Sequence, residues 1–305
     1  MGTLRDRATG RVVLLAADCI LGRASTSWLQ IADRKVSGQH ARLRWAGARW
    51  ELRDLGSRNG TFVDETPLGP TETRALHEGA RIAFGPDGPV WVVADIAPPQ
   101  PIATHATTGE RRGGQDGFLA LPDERDPLLT VYQDHDGVWH LEGDGPAERL
   151  ADRTRVEVAG AAWWVEVPTH LPPTIDAAHG VSLLDASLAF RVSADEEHVE
   201  LTVTAPGFDR TLKPRVHLYM LLTLARVRLE EAARGDVPAS EQGWVEREVL
   251  CRMLGVDAQR LKVDIFRARK QLAAAGITDA ALLVERRATS RQLRLGVAAL
   301  HVAPL

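Results

Sequence analysis

The chain is poor in cysteine: Cys19 and Cys251 are the only two in 305 residues. Two thiols that far apart make no disulfide framework, so the fold must rest on burial and suits a reducing compartment. No charged segment followed by an apolar core opens the chain, and no stretch approaches the roughly 18 uninterrupted apolar residues of a membrane span. A cytoplasmic protein with no membrane partner is expected. Positive charge is not in excess either. The 37 Lys and Arg stand against 41 Asp and Glu, a net of −4, which excludes a uniformly basic nucleic-acid coat protein but leaves room for a local basic patch. Catalytic groupings are missing as well: the ten histidines lack metal-ligand spacing, neither cysteine has a reactive partner nearby, and there is no GxxxxGK[ST] loop or Gly-x-Ser-x-Gly elbow. The expectation is a binding protein, not an enzyme, with no metal and no cofactor.

What is present is globular: 44% hydrophobic and 26% charged residues, in a length that suits two or three modules. Residues 1–95 alternate short β-type runs (11–17, 41–45, 50–54, 80–84 and 90–94) with Gly, Pro, Asp and Asn turns, the pattern of an all-β sandwich or barrel. Residues 97–116, rich in Pro, Thr and Gly, predict an extended or mobile linker. Alternation returns over 117–168, a small β-rich middle module closed by Pro168, Pro172 and Pro173. A weak internal repeat accompanies it. Trp50, Leu52, Leu76, Arg81, Ile82 and Trp91 are echoed by Trp139, Leu141, Leu150, Arg155, Val156 and Trp164, either as a truncated copy of the first module or through shared β-alternation alone. Beyond it, over 183–297, two strands (188–192, 199–204) precede apolar-periodic helices at 215–233, 244–254 and 260–275, and then a β pair at 282–285 and 292–295. In the last helix Leu261, Ile265, Ala268 and Leu272 make one buried stripe, with Asp257 as N-cap and Gly276 as C-cap.

The first module carries three informative stretches: Leu21-Gly22-Arg23, Val36-Ser37-Gly38-Gln39-His40-Ala41 and Asp54-Leu55-Gly56-Ser57-Arg58-Asn59-Gly60-Thr61. They place two arginines, a hydroxyl and an asparagine in separate loops that can converge at one end of a sandwich. Guanidinium groups bind phosphate through paired hydrogen bonds, a hydroxyl adds a donor, and an asparagine can hold a peptide backbone through both amide groups. Each alone reads as surface charge or a tight turn; in order and together they read a phosphorylated side chain. These motifs, followed by Leu76-x-x-Gly79 and Ile82-Ala83-Phe84-Gly85, resemble the forkhead-associated (FHA) domain, a phosphothreonine-peptide reader, over residues 1–96. The resemblance implies that Arg23 and Ser37 contact the phosphate, that Arg58 assists, and that Asn59 binds the peptide backbone. By the same resemblance Gly22, His40 and Gly60 are structural, and Gly38, where many members carry a basic or polar residue, implies one phosphate contact fewer. The middle module has no counterpart of Arg23, Ser37 or Asn59.

Between residues 260 and 294 nine basic residues face three acidic ones, a local net of +6 in a chain of −4. The helix face opposite the buried stripe is expected to carry Arg260, Val263, Arg267, Lys270 and Gln271, followed by an Arg-rich hairpin, the layout of a groove-reading helix and a wing. Leu212-Lys213-Pro214, the helix 260–272, and the pair Val284-Glu285-Arg286-Arg287 and Gln292-Leu293-Arg294-Leu295 resemble the winged-helix domain of OmpR/PhoB-type response regulators, over 183–297. That resemblance implies DNA contacts from Arg260, Lys262, Arg267, Lys270, Arg286, Arg287, Arg291 and Arg294. Asp264 and Phe266 depart from it, standing where relatives place DNA-facing polar or basic groups.

The fold expected is therefore multidomain: an N-terminal all-β FHA sandwich, a small β-rich middle module resembling a degenerate FHA domain, and a C-terminal α+β winged helix. The function expected is a transcriptional regulator responsive to phosphothreonine. Its partners would be a phosphothreonine-containing protein (a Ser/Thr kinase or its substrate) and double-stranded DNA, with a homodimer compatible. The alternative is a phosphorylation-dependent adaptor whose winged helix contacts protein.

Overall fold

The structure, a computed structural model, describes residues 1–168, 180–287 and 290–305. It divides into two compact units: the first holds 1–115, 151–157 and 161–168, and the second holds 116–150, 158–160 and 180–305. Pro172 and Pro173 lie outside the described residues.

In the first unit the strands are β1 (Thr3–Asp6), β2 (Val12–Leu14), β3 (Asp18–Gly22), β4 (Leu29–Gln30), β5 (Ala41–Trp45), β6 (Trp50–Asp54), β7 (Thr61–Val63), β8 (Thr66–Pro67), β9 (Thr73–Ala75), β10 (Arg81–Phe84) and β11 (Val90–Asp95). They form two sheets, in the orders β2-β1-β11-β10-β7-β8 and β4-β3-β5-β6-β9. Period-two alternation explains their common core. Along β5, Ala41 and Leu43 are buried while Arg42 and Arg44 face water, and the inward residues join Leu4, Leu21, Trp50, Leu52, Ile82 and Trp91 in one cluster.

Residues 97–116 are not a linker. They contain β12 (Ile102–His105) and β13 (Arg111–Gly113), with Ile102 and Ala103 fully buried. The Pro, Thr and Gly content that suggested a linker belongs to the turns, while the strand is held by pairing with β19 (Ala161–Glu166), about sixty residues on. Between them run β14 (Phe118–Asp123), β15 (Asp126–Gln133), β16 (Trp139–Glu142), β17 (Glu148–Arg149) and β18 (Thr154–Val158). The middle residues thus supply the sheet β13-β12-β19-β18 to the first unit and the sheet β14-β15-β16-β17 to the second.

These orders repeat those of the N-terminal strands, with β12, β13, β14, β15, β16, β17, β18 and β19 standing where β1, β2, β3, β5, β6, β9, β10 and β11 stand. Backbone bonds repeat as well. Leu76 N–H donates to the Trp50 carbonyl at 2.9 Å and Leu150 N–H to that of Trp139 at 2.7 Å; Gly10 N–H reaches Asp6 and Gly109 N–H reaches His105, both at 2.9 Å. The register moves the last pair of the sequence repeat by one residue. Asp6 lies opposite Trp91 and His105 opposite Trp163, so buried Trp163 is the counterpart, while Trp164 is 45% exposed.

The rest of the second unit has β20 (Ser187–Val192), β21 (Val199–Ala205), β22 (Phe208–Leu212), α1 (Leu218–Arg234), β23 (Val245–Glu246), α2 (Arg247–Leu254), α3 (Ala258–Ala274), β24 (Val284–Arg286), β25 (Gln292–Leu295) and β26 (Leu300–Pro304). One sheet runs β22-β21-β20-β26 and a smaller one β23-β25-β24. The stripe Leu261, Ile265, Ala268 and Leu272 is buried as its spacing predicts. The Asp257 carboxylate caps α3 by accepting from Arg260 N–H, and Gly276 follows the helix with φ of 104°. β26, beyond the expected boundary at 297, pairs parallel with β20.

Candidate functional site

The loops after β3, before β5 and after β6 meet around Ser37. Gly22 makes this possible: a Cβ there would stand 2.1 Å from the Gly38 carbonyl oxygen, so only glycine lets the two backbones approach. Across that approach Arg23 N–H donates to the Ser37 carbonyl at 2.9 Å and Ala24 N–H to the Gly38 carbonyl at 3.0 Å. The Ser37 hydroxyl accepts from Arg58 N–H at 3.1 Å, and Asn59 Nδ2 donates to the Lys35 carbonyl at 2.7 Å. Arg23 Nε bonds the Val36 carbonyl at 3.2 Å. Arg23, Ser37 and Arg58 are therefore joined by direct bonds, Asn59 follows Arg58 in the chain and is tied to Lys35, and both guanidinium side chains are exposed.

His40 is fully buried behind them. Its Nδ1 accepts from Ser37 N–H at 3.1 Å, which requires Nε2 to carry the proton that reaches the Gly60 carbonyl at 3.1 Å. Burial holds its pKa below the ordinary histidine value, so the ring stays neutral in this role. Gly60, with φ of 74°, turns the chain so that its carbonyl faces the ring.

Asp54, which opens the third motif, clamps the loop after β6. Its carboxylate accepts from Gly56 N–H and Ser57 N–H, both at 2.8 Å, from Ser57 Oγ at 2.6 Å and from Thr61 Oγ1 at 2.5 Å. Burial alone would raise its pKa, but the Ser57 and Thr61 bonds outweigh it and hold the carboxyl below its usual range. The Asp-x-Gly-Ser spacing of an Asx turn was the available signal. The arrangement as a whole is a rigid backbone frame presenting two guanidinium groups and a hydroxyl, chemistry suited to a tetrahedral dianion.

The expected DNA-contacting residues are placed differently. Arg267 and Arg291 are exposed, and Arg260 is exposed with its Nε 3.1 Å from Asp264. Lys262 pairs with Asp144 at 2.8 Å, Lys270 with Glu124 at 2.6 Å and Arg286 with Glu142 at 2.9 Å. Arg287 pairs with Glu241 and Arg294 with Glu285, and both guanidinium groups lie over the Trp244 ring at 4.3 and 4.5 Å. The outer face expected for α3 needs correcting accordingly. Val263 is buried, Lys270 is half-buried where it meets Glu124 of the sheet β14-β15-β16-β17, and Gln271 bonds His217 and the Lys213 carbonyl, which precede α1. Phe266 likewise turns its ring to Phe118, 6.4 Å away between centroids.

Comparison with known proteins agrees with the N-terminal geometry. The FHA domain family model matches residues 19–85, which form an FHA domain. An FHA domain-containing protein, FhaB of Mycobacterium tuberculosis, is 43% identical over 58 residues, 19% of this chain and 37% of that protein. Protein phosphatase 2C 70 of Arabidopsis thaliana is 50% identical over 46 residues, 14% of this chain and 8% of its own. The chain thus spans well under half the length of these curated relatives. Among solved structures, one from a study of phosphothreonine-dependent FHA domain interactions is 31% identical, covering 32% of this chain and 97% of its own, with a TM-score of 0.28. Mycobacterium tuberculosis EmbR in complex with a low-affinity phosphopeptide is 26% identical, covering 32% of this chain and 25% of its own, with a TM-score of 0.29. Among the described residues no helix is long and apolar enough to cross a membrane.

Proposed function

We propose that the chain is a cytoplasmic regulator of transcription, a binding protein and not an enzyme, which reads a phosphothreonine made by a Ser/Thr kinase and acts on DNA through a C-terminal winged helix. The observation that carries the first half is the cradle at Ser37, where exposed Arg23 and Arg58 flank a hydroxyl already held by loop backbone. Calorimetry with a phosphothreonine peptide and its unphosphorylated twin tests it. The phosphorylated form should bind far more tightly, and Arg23→Ala should cost on the order of 2 to 5 kcal/mol of that binding. Equal affinity for the two peptides refutes it.

The second half is supported by the order of β20–β22, α1, α2, α3 and the β24–β25 hairpin, and by the exposure of Arg260, Arg267 and Arg291. Replacing Arg267 should change which DNA sequences are preferred, whereas replacing Arg291 should weaken all alike and lower the salt slope by about one unit. The adaptor reading is favoured by one observation, the pairing of Lys262, Lys270 and Arg286 with carboxylates of the same chain. Absence of binding to mixed double-stranded DNA at low salt would decide for it.

A further inference from the structure

We propose that the sheet β14-β15-β16-β17 is a built-in competitor for DNA, presenting carboxylates to the cations of α3 and the hairpin where phosphates would otherwise sit. It rests on the DNA-binding reading above and supplies that site's regulation. At 100° per residue, Gln259, Lys262, Phe266, Arg269 and Lys270 fall within roughly 100° of the circumference of α3. All five meet the sheet or its loops: Gln259 bonds Asp126, Lys262 pairs with Asp144, Phe266 faces Phe118, Arg269 pairs with Glu142, and Lys270 pairs with Glu124. The strip of helix carrying Arg260 and Arg267 stays open, so the helix is half-covered along the side that would have to enter a groove.

Two features distinguish this contact from ordinary core packing. First, positive charge exceeds negative there. Arg269 Nη1 reaches both Glu142 oxygens at 3.1 Å and Arg286 shares the same carboxylate at 2.9 Å, yet the Nε of each arginine is buried without a hydrogen-bond partner. Among the described residues Asp144 is the one carboxylate lining a cavity with Arg247, Lys262, Arg286, Arg287 and Arg291, of which Arg287 also pairs with Glu241. A row of phosphates would offer these cations more acceptors than the sheet does. Second, the sheet has the strand order of the one whose loops meet at Ser37, with carboxylates turned toward α3 from two of its loops. The segment between β3 and β5 carries Arg23 and Ser37, and its counterpart, the turn between β14 and β15, carries Glu124, which pairs with Lys270, beside the exposed Arg125. The chain following β6 carries Arg58 and Asn59; the chain following β16 carries Asp144. The same scaffold is thus furnished to hold cations instead of a phosphate.

The test uses the full chain and a mixed-sequence double-stranded DNA fragment at low salt. Glu124 and Asp144 are 52% and 71% exposed, so Glu124→Ala with Asp144→Ala should leave the fold intact. The double variant should bind DNA about three- to tenfold more tightly than wild type, the scale of two exposed ion pairs, and with a steeper salt slope. Asp209→Ala with Glu230→Ala, an equal change of charge at exposed positions in the same unit, should not reproduce the gain. Carbodiimide coupling gives an independent reading, because the chain has few lysines and Lys262 and Lys270 each touch a carboxylate. Amide links Lys262–Asp144 and Lys270–Glu124 should form in the free protein and disappear as DNA saturates it. Equal affinity of wild type and the double variant, a gain matched by the control pair, or coupling unaffected by bound DNA overturns the competitor while leaving DNA binding in place. If neither protein binds DNA, the functional reading itself falls and takes the competitor with it.

Discussion

Gly22→Ala isolates the close approach on which the proposed phosphopeptide site depends. The added methyl would lie 2.1 Å from the Gly38 carbonyl oxygen and 2.9 Å from its carbon, both of them backbone atoms with no rotamer to yield. Carbon contacts are comfortable at about 3.5–4.0 Å, so the chain at Gly38 must retreat by more than an ångström. Retreat breaks the bonds that cross the gap: Arg23 N–H to the Ser37 carbonyl at 2.9 Å, Ala24 N–H to the Gly38 carbonyl at 3.0 Å, and Ser27 Oγ to the same oxygen at 3.2 Å. Overpacking typically costs about 1–3 kcal/mol and each lost hydrogen bond about 1 kcal/mol, so a loss of about 2–4 kcal/mol is expected after partial relaxation. The internal control is Gly38→Ala, whose Cβ would meet nothing within 4 Å and should change stability by less than about 0.5 kcal/mol. Urea unfolding followed by tryptophan fluorescence compares the two, since Trp28, Trp45, Trp50 and Trp91 belong to the affected unit. Peptide calorimetry should show Gly22→Ala losing phosphopeptide affinity alongside stability. If Gly22→Ala unfolds at the wild-type urea concentration, or Gly38→Ala is equally damaging, the steric argument is wrong.

The stability of the first unit should fall with acid in two stages. Below about pH 6.5, His40's ordinary value, the unfolded chain takes up a proton that the buried ring resists; below about 3.8, Asp54's ordinary value, protonation of the unfolded chain again runs ahead of the clamped carboxyl. Asp54→Asn should flatten the lower stage in pH-dependent urea titrations, and an unchanged lower stage would count against the clamp. Glu142→Ala leaves buried Arg269 and partly buried Arg286 without their carboxylate and should cost about 3–5 kcal/mol in unfolding of the second unit, whereas a loss below about 1 kcal/mol would mean that both arginines find other acceptors. Asp279→Ala strips the buried acceptor of Ser182 Oγ at 2.6 Å and Leu183 N–H at 2.7 Å; about 1–3 kcal/mol should be lost, read as a fall in the thermal midpoint.

How far the sequence announces these features follows the range of the interactions behind them. The loops that meet at Ser37 were legible because each is a short motif whose residues bond within it or to the next: Asp54 to Ser57, Ser37 to His40, Arg58 to Ser37. The stripe on α3 and its cap at Asp257 were legible for the same reason. By contrast, β12 hides in a stretch of Pro, Thr and Gly because its partner β19 lies far along the chain, and β26 is specified by a parallel partner more than a hundred residues earlier. Helical periodicity orders the cations of α3 around its circumference, but whether a cation faces water or a carboxylate is settled by distant chain, 127 residues away in the case of Arg269 and Glu142. A basic face read from one helix is therefore a statement about composition until its neighbours are known.

The repeated strand order suggests why so little change turns one kind of surface into the other. The bonds that repeat, Leu76 to Trp50 and Leu150 to Trp139, are backbone bonds at strand ends and do not depend on what the intervening loops carry. Loop length and loop charge can then vary without disturbing the sheet, because surface connections bear little of the buried packing. In the first unit the long segment between β3 and β5 needs Gly22 and His40 to hold it in place, so the phosphate chemistry proposed for it comes with structural requirements of its own. The two-residue turn between β14 and β15 needs none of them, and a carboxylate such as Glu124 can stand there with its charge in water until a cation arrives. On the proposed readings, anion recognition in this scaffold requires a built cradle, whereas cation recognition requires only well-placed carboxylates, which a sheet with short loops can supply.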